Sequence, residues 1–279
     1  MYESVKVAAI SYQPVKWDRA ANADRMEELF VEAARENPRM ILITEGALEG
    51  YVVMDVVEGR ASAADLIEVA EPIDGPYIRR FQKLARTLNT CLAFGFAERI
   101  GDEAYNCALF LDQEGKICGR YHKVQLAEGT HSSWNFNRIG QKLRAFDTPI
   151  GRAGFVICND RWNPDIVRAL VLDGARIILI PSYGSKTKEQ NQAGLARARE
   201  NGVPIVEANV GMNLIISKGE ICAYQWGNDQ ITHGVVDIPV APGTETARKA
   251  EQAYLAAQTP EMERRYQRTL ERVAEQVGG

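Results

Sequence analysis

Apolar and polar positions along this chain follow two rhythms that repeatedly trade places. Val5–Ile10 is an apolar run of strand length, and over residues 20–34 Met26, Leu29, Phe30 and Ala33 recur at helical spacing. Asn37-Pro38 stops that helix. Met40–Ile43 is a second short apolar strand, running into Thr44-Glu45-Gly46. After a loop, Ile78, Phe81, Leu84, Ala85 and Leu88 restore the helical period over 76–88. Residues 91–96, 104–111 and 117–124 read as three strands, the last two joined by a Gln-Glu-Gly-Lys turn.

The second half repeats the alternation. Phe155–Cys158 reads as a strand, and Pro164–Asp173 as a helix with Asn163 as N-cap and proline at its first position. Ile177–Ile180 is apolar on both faces, as a buried strand requires. A helix over 186–201, a strand over 204–209, a hairpin over 214–226 turning at Lys218-Gly219, and a strand over 232–238 follow. Strands and helices interleave without a Pro/Gly/Ser-rich linker, which predicts one α/β domain over residues 1–240 with mixed sheets. Residues 241–279 differ: they are charged, and helical by propensity from Glu245 onward. Their thin apolar stripe comprises Tyr254, Leu255, Tyr266, Leu270 and Val273. That extension reads either as a solvated helical tail or as an arm that contacts a partner subunit, because so thin a stripe buries little on its own protomer.

Composition narrows the class. The 279 residues are 46% hydrophobic and 25% charged, which excludes a disordered or fibrous chain. A net charge of -4 with no basic stripe argues against nucleic acid as a partner. No apolar stretch approaches the roughly 20 residues that span a bilayer, so no membrane is expected. The amino terminus leads straight into the first strand, leaving no room for a signal peptide, and the expected compartment is the cytoplasm. Cys91, Cys107, Cys118, Cys158 and Cys222 are scattered, and with His122, His131 and His233 they form no zinc spacing. Neither a metal nor another cofactor is expected, nor are disulfides in that compartment. Four of the cysteines lie in apolar, alternating segments and read as core or strand residues.

Cys158 is the exception, because polar turn residues follow it directly in Val-Ile-Cys-Asn-Asp-Arg-Trp (156–162). A thiol between a strand end and a helix start is expected to be partly exposed and near helix N-terminal amides, which favour the thiolate. Acyl transfer from an amide also needs a proton acceptor and donors for the developing oxyanion. Neither His122 nor His131 sits in a Cys-His-Asn pattern. A carboxylate can serve instead. Glu45 ends the apolar strand 40–43, and Lys123 ends the strand that contains Ile117 and Tyr121. Parallel strands present their C-terminal ends to a shared crevice, so Glu45, Lys123 and Cys158 are candidates to converge. Taken singly, each also fits a structural role, as a solvated charge, a surface cation and a core thiol.

Together these residues carry a resemblance. The stretches Ile-Thr-Glu-Gly-Ala-Leu-Glu-Gly-Tyr (43–51), Gly-Arg-Tyr-His-Lys-Val-Gln-Leu (119–126) and 156–162 resemble the nitrilase superfamily of carbon–nitrogen hydrolases in order and spacing. Tyr105-Asn106-Cys107-Ala108 and Arg197-Ala198-Arg199-Glu200-Asn201 are supporting echoes, and the resemblance spans about residues 5–240. It implies a four-layer αββα sandwich, commonly a homodimer or higher homo-oligomer whose C-terminal segments cross the interface. It also implies Glu45 as general base, Lys123 as oxyanion donor, Cys158 as nucleophile and the Asn159 N–H as a second oxyanion donor. Glu128 is the nearest candidate for the second glutamate that members use to position substrate.

The chain departs from the pattern at Thr44, where proline is common, and at His122, where arginine is common. Cys-Asn-Asp-Arg resembles the N-carbamoyl amino acid hydrolases more than the common Cys-Tyr-Asp form. Arg161 either faces substrate or pairs beneath the site with Asp160. Trp162, like Trp134 and Trp226, either lines a pocket or packs in the core. The resemblance implies hydrolysis of a small linear amide or N-carbamoyl compound through a cysteine thioester, releasing ammonia or an amine. Alternatives are a nitrilase acting on a nitrile, a catalytically silent relative that binds a small molecule, and an unrelated hydrolase using Ser182 or Ser185. The last lacks a G-x-S-x-G elbow.

Overall fold

The computed structural model describes residues 1–126, 137–184, 188–240 and 244–277. Within Tyr2–Pro239, which forms one compact unit, the first sheet is built around β1 (Tyr2–Ser11). Beside β1 lies β2 (Met40–Ile43), reached through α1 (Arg19–Ala34), and beside β2 lies β3 (Cys91–Ile100), reached through α2 (Val53–Val57), α3 (Ala63–Val69) and α4 (Pro76–Leu88). β1, β2 and β3 are parallel, in register Val7↔Met40↔Cys91. β4 (Glu103–Leu111) and β5 (Ile117–His122) continue antiparallel, while the short β6 (Asn137–Arg138) pairs with β4.

The second sheet contains β7 (Phe146–Thr148), β8 (Gly151–Phe155), β9 (Ile177–Ser182), β10 (Ile205–Asn209), β11 (Met212–Ser217) and β12 (Glu220–Trp226). Of these, β8, β9 and β10 are parallel. α5 (Pro164–Leu172) links β8 to β9, and α6 (Lys188–Asn201) links β9 to β10. β13 (Gln230–Pro239) returns to pair antiparallel with β1.

The core shows how the layers stack. Between the sheets, Val7, Leu42, Ala93 and Phe110 of the first pack with Phe155, Leu179, Val206 and Ile215 of the second. On the first sheet's outer face, Ile41, Phe94 and Leu109 meet Met26, Leu29 and Phe30 of α1 and Ile78 and Phe81 of α4. On the second sheet's outer face, Ile178, Ile180 and Ile205 meet Val167 and Leu170 of α5 and Leu195 and Ala198 of α6. The order helix, sheet, sheet, helix is the expected αββα sandwich. Apolar surface on both faces of β2 and β9 explains why these strands read as continuous runs rather than alternations.

The helix ends are set locally. Asp18 and Asn163 cap α1 and α5 through their side chains, Pro76 and Pro164 occupy first turns, and Asn89 closes α4 in the left-handed conformation.

Two features differ from the sequence expectation. The strand before Cys158 stops at Phe155, and Cys158–Trp162 is a 3-10 turn. α2 and α3 fill what read as a loop, because each is too short to show a helical period. Cys222 lies on a strand, β12, as its alternating segment suggested, and is exposed there.

The segment beginning at Val240 forms a separate unit. Its helix α7 (Thr244–Val277) carries the pairs Glu245–Lys249 and Glu261–Arg265, with Tyr254, Leu255, Tyr266 and Leu270 exposed. Among the described residues no helix is long and apolar enough to cross a membrane.

Candidate active site

Glu45 stands just past the end of β2, and the neighbouring strand makes room for it. A Cβ at Gly95 of β3 would lie 2.6 Å from the Glu45 Cα, so only glycine admits this close approach. Gly95 then bonds the loop on both sides, donating to Thr44 O at 3.1 Å and accepting from Ala47 N–H at 2.8 Å. The Glu45 side chain is fully buried. Its Oε1 accepts from Lys123 Nζ at 2.8 Å and from Asn106 Nδ2 at 2.6 Å, and its Oε2 accepts the Tyr183 N–H at 2.8 Å.

Lys123 follows β5 and is 1% exposed. Its backbone is held from both sides, donating to Asn106 O at 2.9 Å and accepting from Gly140 N–H at 2.8 Å. Burial works against its ammonium. The carboxylate of Glu45, followed by Tyr51, Cys158 and Asp160, more than offsets that, and the pKa rises above the ordinary lysine value. Lys123 is therefore a fixed cation inside the fold. β5 is antiparallel to β4, which is itself antiparallel to β3, so β5 runs in the same direction as β2 and its C-terminal end brings Lys123 to the same edge of the sheet as Glu45.

Cys158 opens the 3-10 turn at φ 43°, a left-handed conformation rare for a residue with a Cβ. It is buried rather than partly exposed as its sequence context suggested. Burial pushes the thiol pKa up, and the charge of Glu45 pushes the same way; Lys123, Arg161 and the Tyr183 N–H pull it down without reversing the shift. These surroundings therefore disfavour the thiolate relative to a free cysteine.

The residues after Cys158 face inward. Asp160 is fully buried, accepting from Tyr121 Oη at 2.7 Å and Ile157 N–H at 3.0 Å on Oδ2, and from Gln125 N–H at 2.8 Å on Oδ1. These bonds tie the cysteine turn to the chain on either side of Lys123. Arg161, expected at the substrate or paired with Asp160, is fully buried and bonds Glu207, Ser182 Oγ and the Cys158 carbonyl. Its partner is therefore a glutamate on β10 rather than its sequence neighbour. Asn159 donates from Nδ2 to Leu126 O at 3.0 Å and accepts Gln125 Nε2 at 3.1 Å on its carbonyl. Trp162 is 46% exposed, and Trp226 is also exposed. Ser182 is buried against Arg161, which removes it as an exposed nucleophile. Glu128, with His131, Trp134 and Ser185, lies outside the described residues.

Several participants had no site role assigned from the sequence, although Asn106 lies within the Tyr105-Asn106-Cys107-Ala108 echo. Tyr183 contributes a backbone amide, and its ring stacks on Tyr51 at 4.7 Å between centroids. Asn106 sits in a strand, where its bond to Glu45 is a tertiary fact. Glu207 had a usable signal: a charge within the apolar run Ile205–Ala208 must be paired when both faces are buried.

Glu49, one loop beyond Glu45, is another buried carboxyl; its Oε2 accepts the Ala97 N–H at 2.8 Å. Burial, with a smaller contribution from Glu45, pushes its pKa up to about 7 against the pull of backbone amides. A small cavity of ≈ 20 Å³, room for about one water, is lined by Glu49 together with Tyr51, Asn106 and Asn137.

Glu98, Cys107 and His122 bring potential metal-ligand atoms within 4.8 Å of one another. Arg120 already holds Glu98 through Nε at 2.8 Å and Nη2 at 2.6 Å, and His122 Nε2 lies 2.7 Å from the same carboxylate. A guanidinium thus already balances the charge of that carboxylate.

The model of the family described as "Carbon-nitrogen hydrolase" matches residues 6–233. The chain belongs to that family. This carbon-nitrogen hydrolase is 30% identical to the N-carbamoylputrescine amidase of Arabidopsis thaliana over 255 residues, covering 86% of this chain and 82% of the relative. It is 26% identical to the citrullinase of Francisella tularensis over 219 residues, 74% of each chain. Its fold matches Saccharomyces cerevisiae Nit3, a member of branch 10 of the nitrilase superfamily. The TM-score there is 0.74 at 20% identity, covering 90% of this chain and 94% of the other. An amidase from Nesterenkonia sp. AN1, with acrylamide added at its active site cysteine, matches at TM-score 0.71 and 20% identity, covering 94% and 99%.

Proposed function

We propose that this carbon-nitrogen hydrolase cleaves a small linear amide or N-carbamoyl compound through a thioester on Cys158, with Glu45 as general base and Lys123 as oxyanion donor. The observation that carries the reading is the fully enclosed Glu45–Lys123 pair, 2.8 Å apart, whose charges both act on the Cys158 thiol. An ion pair so deeply buried is expensive to maintain, and perturbed titratable groups clustered at strand ends are a mark of function.

In the first step Glu45 takes the thiol proton as sulfur bonds to the carbonyl or ureido carbon. Negative charge moves to the oxygen, where the Lys123 ammonium and the Asn159 N–H receive it. As the oxyanion collapses, the carbon–nitrogen bond breaks, and Glu45 returns the proton to the departing amine or ammonia. Water then enters, loses a proton to Glu45 and adds to the thioester. Collapse of that second intermediate releases the acid, and the sulfur regains a proton from Glu45. The carboxylate therefore carries a proton in both halves of the cycle, and Asn106 and the Tyr183 N–H hold it in place throughout.

The N-carbamoyl arm of the proposal is supported by relatives named N-carbamoylputrescine amidase and citrullinase. Glu128 remains the candidate substrate-positioning glutamate. In this reading residues 1–240 carry the catalytic unit and 241–279 form an arm of a homodimer or higher homo-oligomer, supported by the exposed apolar residues of α7. Free thiols among all five cysteines suit a reducing cytoplasm. The test is ammonia release from a panel of amides, N-carbamoyl amines, ureido acids and nitriles, by wild type and Cys158→Ala. Turnover of an amide or ureido compound that Cys158→Ala abolishes supports the proposal. Turnover of nitriles alone would replace it, and equal turnover by the variant would end it.

A further inference from the structure

Arg161 has no solvent exposure and spends its guanidinium on three separate pieces of the fold. Nε donates to the Cys158 carbonyl at 2.7 Å, Nη2 to Ser182 Oγ, and Nη1 to Glu207. Ser182 ends β9, and its own carbonyl accepts the Glu45 N–H at 3.4 Å. The next residue, Tyr183, donates its N–H to Glu45 Oε2 at 2.8 Å. One planar group thus spans from the backbone of the thiol residue to the strand end that bonds the carboxylate.

We infer that Arg161 is a positioning residue: from beneath the site its guanidinium fixes the Cys158 turn relative to the Ser182–Tyr183 strand end that orients Glu45, and Glu207 is the counter-ion that keeps it there. The inference rests on the Glu45–Lys123–Cys158 reading.

Three features support a role beyond filling space. The first is conformational. Cys158 sits at φ 43°, which costs energy for a residue with a Cβ and persists only when neighbours over-determine it. The bond from Arg161 to the Cys158 carbonyl is one such restraint, and Asp160 supplies the other through Ile157. The second is geometric. A guanidinium presents its donors in a fixed fork, so three bonds from one plane set relative positions in a way that a lysine ammonium does not. The third is electrostatic: the positive charge lies close enough to the thiol to favour its ionisation, acting with Lys123 against burial. Glu207 is equally buried, so removing either partner alone strands a charge.

A purely structural ion pair and a positioning one diverge when both charges are removed together. Replacing a buried pair by apolar side chains is commonly neutral or stabilising, so Arg161→Met/Glu207→Leu is expected to fold. Its kcat on the amide or ureido substrate should fall at least about tenfold, because small misplacements of reacting groups are costly. KM should stay within about twofold, since ground-state binding is untouched. The pH profile of Cys158 alkylation by iodoacetamide should move to higher pH.

Arg161→Lys keeps the charge and loses the fork. It should return the alkylation profile toward wild type while kcat stays low, and it carries the same readouts if the double variant fails to fold. Wild-type kcat and alkylation in either variant would overturn the inference. A raised KM with unchanged kcat would overturn it too, by making Arg161 a substrate contact. Wild-type enzyme that turns over no amide or ureido compound and leaves Cys158 unacylated would defeat the parent reading and this one with it. Wild-type turnover with insensitive Arg161 variants would defeat this one alone.

Discussion

Tyr121 donates its hydroxyl to Asp160 at 2.7 Å, and that single bond joins the strand leading to Lys123 to the turn that begins at Cys158. Both groups are buried, so neither has water to turn to if the other is lost. Burial, and secondarily Asp160, pushes the Tyr121 hydroxyl pKa well up, which keeps it a donor. Asp160 and Arg161 thus point the cysteine turn in two directions, toward Lys123 and toward Glu45.

Tyr121→Phe removes the donor and leaves the buried carboxylate short of a partner. Stability should fall by about 1–3 kcal/mol, the cost of an unsatisfied buried group, as read by urea unfolding. The kcat should fall with it while KM changes little. A change in stability within about 0.5 kcal/mol, the range of an ordinary surface substitution, would show that the bond does not hold the turn.

Lys123→Ala has a consequence that the sequence alone does not suggest. It removes the cation that matches Glu45 inside the fold, so the variant should lose about 3–5 kcal/mol of stability as well as activity. The activity loss should be about a hundredfold or more, as for removal of an oxyanion donor. A companion Glu45→Gln/Lys123→Met should recover stability and stay inactive. Recovery of turnover in that double variant would remove both residues from the chemistry.

Glu49 gives a pH signature. Its folded-state pKa, about 7, lies above that of an unfolded glutamate, so between the two values the folded chain binds the extra proton. Stability from this group is therefore present at low pH and is lost as pH rises through about 7. Unfolding of wild type and Glu49→Gln should be compared at pH 5 and pH 8. The difference in stability between them should shift by up to about 3 kcal/mol in favour of the variant at the higher pH. A difference independent of pH would mean that Glu49 does not hold its proton in the folded chain.

Much of this arrangement was legible in the sequence because strand ends are marked by abrupt changes from apolar to polar. Glu45 and Cys158 each follow a buried run, and Lys123 follows Tyr121, so their chemistry stood out against their surroundings. The α4 helix and the turn at Lys218-Gly219 were equally plain, the first from its period and the second from its turn residues. What stayed hidden was depth. Nothing local distinguishes Arg161 facing a ligand from Arg161 buried on Glu207, because the deciding partner is 46 residues away on another strand. The same holds for Asn106 and the Tyr183 amide, which reach Glu45 across 61 and 138 residues. The expected exposure of Cys158 also failed for this reason: the turn after it is polar because it bonds inward, not because it meets solvent.

The central claim, that Cys158 carries the acyl group, is tested most directly by mass spectrometry of the intact chain mixed with an amide or ureido substrate and quenched during turnover. The account predicts an acyl adduct that peptide mapping places on Cys158, disappears as substrate is consumed, and never forms in Cys158→Ala. Turnover without any adduct in the wild type, or turnover undiminished in Cys158→Ala, would contradict it.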